Sequence, residues 1–394
     1  MRQASLTLVV GPRRLGESIA GPLDIKSLTF VKVPEEALAP RVEDPGAMHT
    51  LRLDWRVRAT TTVTNGRLSR SVPWEQLFEG MLAGDALGGI AMLTPLWLLA
   101  RDADGAHVFV ALRHMVSDAL FVRLHAEPFD DSSDAELSRV AAELHRKHSL
   151  FLNNHQCYYR RLFPGEEIEH KYTLPLETDI WSTTLRLYQV VREGDWAGFI
   201  PEYADEFQAW DYLNYLFAVP EPPEERGYVS FIPLSTGGYT IKRKWFAEDA
   251  TRRGEKYQPA PAGLTDLDAY IRDTLGLTSA QRMPTFRRVR YDLNFESMRT
   301  GHVYGIFFDR SMTVDGPAAQ LVQCELEYLR TRSILPLEES EVLRELDEVA
   351  FRLEGFLAAE GFPTERGVYS KLSFLRDVVR DGTSQPLSDR KDRP

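Results

Sequence analysis

The residues best suited to chemistry sit in short alternating runs. Glu167-Ile168-Glu169-His170-Lys171, read as a strand, puts Glu167, Glu169 and Lys171 on one face and Ile168 and His170 on the other. Two carboxylates and an ammonium are costly to bury as a core, and the carboxylates repel one another at a surface. A divalent cation above the carboxylates and a phosphate above the lysine would satisfy all three. A second run, Gln323-Cys324-Glu325-Leu326-Glu327-Tyr328, gathers Gln323, Glu325 and Glu327 on one face. Between the two, Phe286 to Glu296 alternates cleanly, with Arg288, Arg290, Asp292, Asn294 and Glu296 on one side. That alternation fits a half-buried strand with its polar side in water. It also fits a barrel strand whose polar face lines a lumen holding a charged ligand.

These runs need elements to hold them. From Arg160 onward the sequence predicts strands at Tyr212–Val219, Tyr228–Leu234, Tyr239–Phe246, Phe286–Glu296, Val303–Asp309 and Gln320–Arg330. Ser235-Thr236-Gly237-Gly238 joins the second and third as a hairpin. Helices are expected over Asp179–Tyr203, Asp266–Leu275 and Glu338–Glu360. The last carries Val342, Leu346, Val349, Leu353 and Leu357 on one stripe. Ala247 to Thr265 is polar and rich in Pro and Gly, and reads as a loop.

Residues 1 to about 155 read as a separate α+β region. Strands are expected at Leu6–Val10, Leu28–Val33, His49–Thr64 and His107–Arg113, and helices at Trp74–Leu82 and Ala135–Leu150. Ala86 to Ala100 is the most apolar stretch; it reads as a buried helix or strand, too short to span a bilayer. Asp130-Asp131-Ser132-Ser133-Asp134 resembles the magnesium-binding box of class I terpene synthases, but it follows Pro128 and opens a helix, where Asp and Ser are capping residues. His145, His148 and His155 lack a completing Cys or carboxylate and read as ordinary surface or packed histidines. The tail from about Asp381 is polar and expected to be disordered.

The chain has 394 residues, enough for two domains, and a net charge of -11, which argues against a general nucleic-acid binder. Its two cysteines, Cys157 and Cys324, build no disulfide framework, so a reducing, cytoplasmic setting is expected. No membrane span is expected. The sequence gives no oligomeric state.

Glu167-x-Glu169-x-Lys171, Thr240-Ile241-Lys242, Arg288-Val289-Arg290, a strand closing on Asp309, Glu325-x-Glu327 and the tail Val368-Tyr369-Ser370-Lys371-Leu372 occur in that order. Over residues 160 to 380 this resembles a CYTH domain, the fold of the triphosphate tunnel metalloenzymes. The resemblance implies an α+β fold with an antiparallel β-barrel, a tunnel flanked by helices. It implies Mg²⁺ or Mn²⁺ on Glu167, Glu169, Glu325 and Glu327. Lys171, Lys242, Arg288 and Arg290 would grip phosphate oxygens of a small phosphorylated substrate. Lys244 joins them on parity alone.

One departure matters. The family carries an Arg-x-Arg pair on the strand before the Lys242 strand, and Tyr228–Leu234 has no arginine. Aromatics crowd nearby. Tyr215, Phe217 and Phe231 are therefore expected either to contact an apolar substrate body or simply to pack against the barrel. The first choice of function is thus a CYTH-like terpene cyclase, a lyase ionising farnesyl or geranylgeranyl diphosphate. The alternatives are a metal-dependent triphosphatase, with adenylate cyclase as a minor variant, and a non-enzymatic phosphate-binding module.

Overall fold

The computed structural model of the chain describes residues 5–12, 23–65, 68–77, 93–114, 117–153, 160–202 and 206–381. The architecture is mixed, with two large antiparallel sheets and helices packed around them. His155, Cys157, the second half of the Trp74–Leu82 helix, the first part of the Ala86–Ala100 stretch and the tail beyond Asp381 lie outside the described residues.

The first sheet holds β1 (Ser5–Pro12), β2 (Thr29–Lys32), β3 (Thr50–Asp54), β4 (Thr60–Asn65), β5 (Leu68–Pro73), β6 (Leu93–Arg101), β7 (Ala106–His114) and β8 (Asp118–Arg123). Their order is β3-β8-β7-β6-β1-β2-β4-β5. The single strand expected over His49–Thr64 is two, because Trp55 and Arg56 turn the chain between β3 and β4. β6 is a strand despite Pro95, since the ladder with β1 shifts register there and a bulge needs no donor from proline. Helix α1 (Asp134–Lys147) packs on this sheet. Ser133 caps it by accepting from Glu136 N, and Glu136 accepts back from Ser133 N, a complete capping box. Asp131 and Asp134 pair with Arg101. The aspartate-rich run is therefore a helix start, as its sequence context implies.

The second sheet is the one that positions the charged runs. It holds β9 (Glu166–Leu174), β10 (Phe199–Pro201), β11 (Phe207–Val219), β12 (Gly227–Pro233), β13 (Tyr239–Trp245), β14 (Arg252–Pro259), β15 (Gln281–Arg282), β16 (Phe286–Ser297), β17 (His302–Thr313) and β18 (Gln320–Thr331). Pairings run from β11 through β12, β13, β14, β9, β18, β17 and β16, and β16 pairs back with β11. The ladder thus returns to its start through eight strands, each antiparallel to both neighbours. Side-chain alternation then sends every second residue to the inside of the ring. The stretch expected to be a loop over Ala247–Thr265 supplies β14. Its Pro and Gly residues cluster after Pro259, so only the second half is irregular.

Outside the ring lie α2 (Ile180–Glu193) and α3 (Glu339–Ala359), whereas α4 (Lys371–Asp381) packs Leu372, Phe374 and Leu375 against Leu216, Ala218, Tyr228, Phe286 and Leu321, positions that share the inward parity of their strands. Asp179 caps α2, and Gly194, at φ 88°, ends it in the left-handed conformation, ten residues before the expected stop near Tyr203. Val342, Leu346, Val349, Leu353 and Leu357 of α3 are all buried against the outward residues of β9, β16, β17 and β18. Each contributes about 1.5–3 kcal/mol by burial. A short helical segment over 267–274 covers β11, β12 and β13 through Leu267 and Ile271.

The two sheets meet at the start of β3. His49 N donates to Met298 O at 2.7 Å, and His49 Nε2 bonds Arg332 O at 2.8 Å. Arg332 is wholly buried and spans Glu202 at 2.7 Å and Glu296 at 2.9 Å.

Candidate metal and phosphate site

The inward face of β9 carries Glu167, Glu169 and Lys171, all buried. Register fixes what each meets. Lys171 lies opposite Glu325 and Glu169 opposite Glu327 on β18. On the other edge, Glu167 lies opposite Arg253 of β14, and β14 in turn sets Glu255 beside Lys244 and Tyr257 beside Lys242 of β13. Arg288 and Arg290 face the same interior from β16. Among the first-choice charged residues, all of Glu167, Glu169, Lys171, Lys242, Lys244, Arg288, Arg290, Glu325 and Glu327 are brought together here.

They surround a cavity of about 210 Å³. Its walls carry eight cations, Lys171, Lys242, Lys244, Lys371, Arg161, Arg253, Arg288 and Arg290, against four carboxylates, Glu167, Glu255, Glu325 and Glu327. Lys171 Nζ is 2.6 Å from Glu325 Oε1 and 3.0 Å from Glu169 Oε1. Lys371, at the start of α4, is 3.2 Å from the same Glu325 oxygen and 3.1 Å from Asp309 Oδ2. Arg288 bridges Asp309 and Glu325 at 2.6 Å each. Arg253 pairs with Glu169, Lys244 with Glu167 and Lys242 with Glu255. Arg290 pairs with Asp292 at 2.6 Å and lies 4.4 Å over the Phe307 ring. Gly305 leaves room for that ring, since a Cβ there would strike it.

Electrostatics separates the carboxylates into two kinds. Burial works to raise Glu325, but Lys171, Lys371 and Arg288 outweigh it and hold the group well below the usual range. Glu167 behaves alike: burial raises it, and Lys244, Lys242 and Lys171 overcome that. Glu327 goes the other way. Burial first, then the charges of Glu167 and Glu255, push it up to about 8. Burial also brings the Lys371 ammonium down to about 8, against the pull of Asp309 and Glu325.

One oxygen each from Glu167, Glu255 and Glu327 lies within 4.8 Å of the others. Glu327 forms no ion pair among the described residues. An all-oxygen group of this kind fits a hard divalent cation. Of the four expected ligands, Glu167 and Glu327 lie in this group, while Glu169 pairs with Arg253 and Lys171 and Glu325 with Lys171, Lys371 and Arg288. The Nε atoms of Arg253, Arg288 and Arg290 are buried and have no hydrogen-bond partner.

Tyr215, Phe217 and Phe231 are not in this cavity. Register pairs Ser230 with Lys242 and Tyr228 with Lys244, so on β12 the even positions face inward. Phe217 and Phe231 point outward into the cluster beneath residues 267–277, edge-to-face at 5.8 Å, with Tyr215 packed beside them. The expected aromatic substrate contact at these three positions is replaced by core packing, the other reading their sequence allowed. The residues missed were Arg253 and Glu255. Arg253, Glu255 and Tyr257 alternate on one face, which was the available signal, hidden by the Pro- and Gly-rich stretch after them. Arg253 also supplies an inward guanidinium from β14, which lies across β13 from the strand that lacks the expected arginine pair. Asp309 and Lys371 were noted in the motif order without a role; both contact the cation cluster.

No helix among the described residues is long and apolar enough to cross a membrane. No known protein family matches the sequence, and no curated protein does. Solved structures with a similar chain path include PH1819 from Pyrococcus horikoshii OT3, at 16% identity and a TM-score of 0.32, covering 54% of this chain and 98% of that one. HpAC1 from Hippeastrum, a putative adenylyl cyclase with a dominant triphosphatase activity, is 15% identical at a TM-score of 0.33, covering 56% and 98%. The S. pombe RNA triphosphatase Pct1 is 12% identical at a TM-score of 0.23, covering 66% and 97%.

Proposed function

We propose that the protein is a metal-dependent phosphohydrolase acting on a small triphosphate, with the eight-strand ring serving as a barrel around the site. One observation carries the reading: a small cavity walled by eight cations and four carboxylates. Glu169, Asp292 and Asp309, paired with these cations from just behind the wall, bring the carboxylates to seven, so a bound divalent cation would make the site clearly positive for a strongly anionic triphosphate. Such a site does not suit the hydrocarbon body of an isoprenoid diphosphate, and the aromatics once expected to hold that body lie outside the ring.

Glu167, Glu255 and Glu327 would hold a divalent cation, which when bound neutralises charge on phosphoryl oxygens. Lys171, Lys244, Arg253, Arg288, Arg290 and Lys371 hold the phosphate chain. Their positions are set by ion pairs to Glu169, Glu325, Asp309 and Asp292, so little reorganisation remains when charge shifts toward the leaving oxygen. In the reaction the oxygen of water bonds to the terminal phosphorus, the bond to the bridging oxygen breaks, and orthophosphate and a diphosphate leave. Catalysis by position and charge needs no covalent intermediate on the protein.

The test incubates the protein with Mg²⁺ or Mn²⁺ and, separately, tripolyphosphate, ATP, thiamine triphosphate and farnesyl diphosphate. Orthophosphate released from a triphosphate, with no hydrocarbon from farnesyl diphosphate, is expected. Pyrophosphate plus a cyclic hydrocarbon from farnesyl diphosphate would overturn the reading.

A further inference from the structure

We infer that Tyr257 is a stacking residue for a planar ring carried by the substrate, so the preferred triphosphate bears an aromatic base. The inference rests on the phosphohydrolase reading above and narrows its substrate class.

Arg253, Glu255 and Tyr257 follow one another on the inner face of β14. Their exposure climbs along the strand: the Arg253 side chain is 1% exposed and that of Glu255 11%, whereas Tyr257 is 53% exposed. The neighbouring strand repeats the gradient, from 6% at Lys244 to 15% at Lys242. The mouth of the cavity therefore lies at the Tyr257 end, and the ring stands in it.

That ring is held in place. Lys242 Nζ donates to Tyr257 Oη at 2.5 Å and sits 4.8 Å from the ring centroid. The polar end is thus anchored to a cation of the cavity while the apolar surface faces solvent. A fixed aromatic face beside Lys242, on the wall of the phosphate cavity, meets the need of a base joined to its phosphates through a sugar. Such stacking tolerates any base, because every base has a π-face. Bare inorganic triphosphate would gain nothing from it.

The experiment compares steady-state kinetics of the full chain with Mg²⁺ on ATP and on tripolyphosphate, for the natural protein, Tyr257→Phe and Tyr257→Ala. Tyr257→Ala should raise KM for ATP about tenfold, the scale of one lost stacking contact, and move KM for tripolyphosphate less than twofold. Tyr257→Phe, which keeps the ring, should stay close to the natural protein on ATP. Equal shifts on both substrates in Tyr257→Ala would overturn the inference, as would no shift on either. So would a Tyr257→Phe loss on ATP as large as that of alanine, since the contact would then run through the hydroxyl. Hydrolysis of neither substrate by the natural protein would instead remove the phosphohydrolase reading, and this inference with it.

Discussion

Replacing Glu327 with glutamine should make the metal-free protein more stable. This is the opposite of what removing a partner from a buried ion pair does. Glu327 has no such partner among the described residues, and its carboxylate oxygen lies within 4.8 Å of those of Glu167 and Glu255. Two like charges 4.8 Å apart repel by about 3.5 kcal/mol at an effective dielectric of 20. Burial and two such repulsions push Glu327 up to about 8 against the pull of Lys242 and Lys244, so near neutral pH the folded protein must hold a proton there that the unfolded chain releases, and that is the cost glutamine removes. A net gain of about 1–3 kcal/mol is expected for Glu327→Gln in chelator. Adding Mg²⁺ or Mn²⁺ should reverse the ranking. The natural protein gains about 2.7 kcal/mol when free metal reaches a hundred times its Kd, and the variant, short of one charged oxygen ligand, gains little. Thermal unfolding in EDTA and over a metal titration reads both halves. A variant that is less stable in EDTA and gains the same increment from metal would refute the argument that these three carboxylates share one cation.

Glu167→Gln should abolish triphosphate turnover while leaving circular dichroism unchanged, because the residue touches the proposed ion and the phosphate-holding Lys244. Arg253→Met strips a buried cation from Glu169, so a loss of about 3–5 kcal/mol in denaturant unfolding is expected, together with reduced turnover. Phe231→Ala should cost about 3–5 kcal/mol in stability through the vacated core, yet leave KM of the folded fraction unchanged; a raised KM would return Phe231 to the substrate. Acid should weaken the joint between the two sheets. Burial lowers His49 to about 3 and His302 to about 4. Both folded values lie below the unfolded 6.5, so the stability they contribute is complete above pH 6.5 and is lost as pH falls toward 4 and then 3. At pH 5 the loss is about 2 kcal/mol per histidine, and His49→Gln should flatten that part of a stability profile.

What could be read from the chain, and what could not, follows from how each signal is built. Alternation is local, so the inward rows of β9, β16 and β18 were legible: a period of two needs only the residues themselves. The ligand grouping was not, because it depends on register between strands far apart in sequence. Glu255 reaches Glu167 and Glu327 only because Arg253 pairs opposite Glu167, and a one-residue slip would send all of β14's inner face outward. β14 itself was missed for a related reason. Its polar residues face a polar interior and its outer positions, Gly254, Lys256 and Gln258, carry no apolar side chain, so no apolar stripe betrays a strand. The aromatics failed through parity. Tyr215, Phe217 and Phe231 looked like substitutes for lost arginines because they lie near the right strand, but Ser230 and Tyr228 hold the inward positions opposite Lys242 and Lys244. The same parity makes a sharp demand on the proposed chemistry. If Arg253 stands in for the absent arginine pair, moving a guanidinium to β12 at Ser230 should partly restore turnover to Arg253→Met, since Ser230 is the position that register places beside Lys242. The same arginine at Phe231 faces the apolar cluster under residues 267–277 and should unfold the protein instead. Rescue from position 231 and none from 230, measured as orthophosphate release, would show that the strand faces have been assigned the wrong way round.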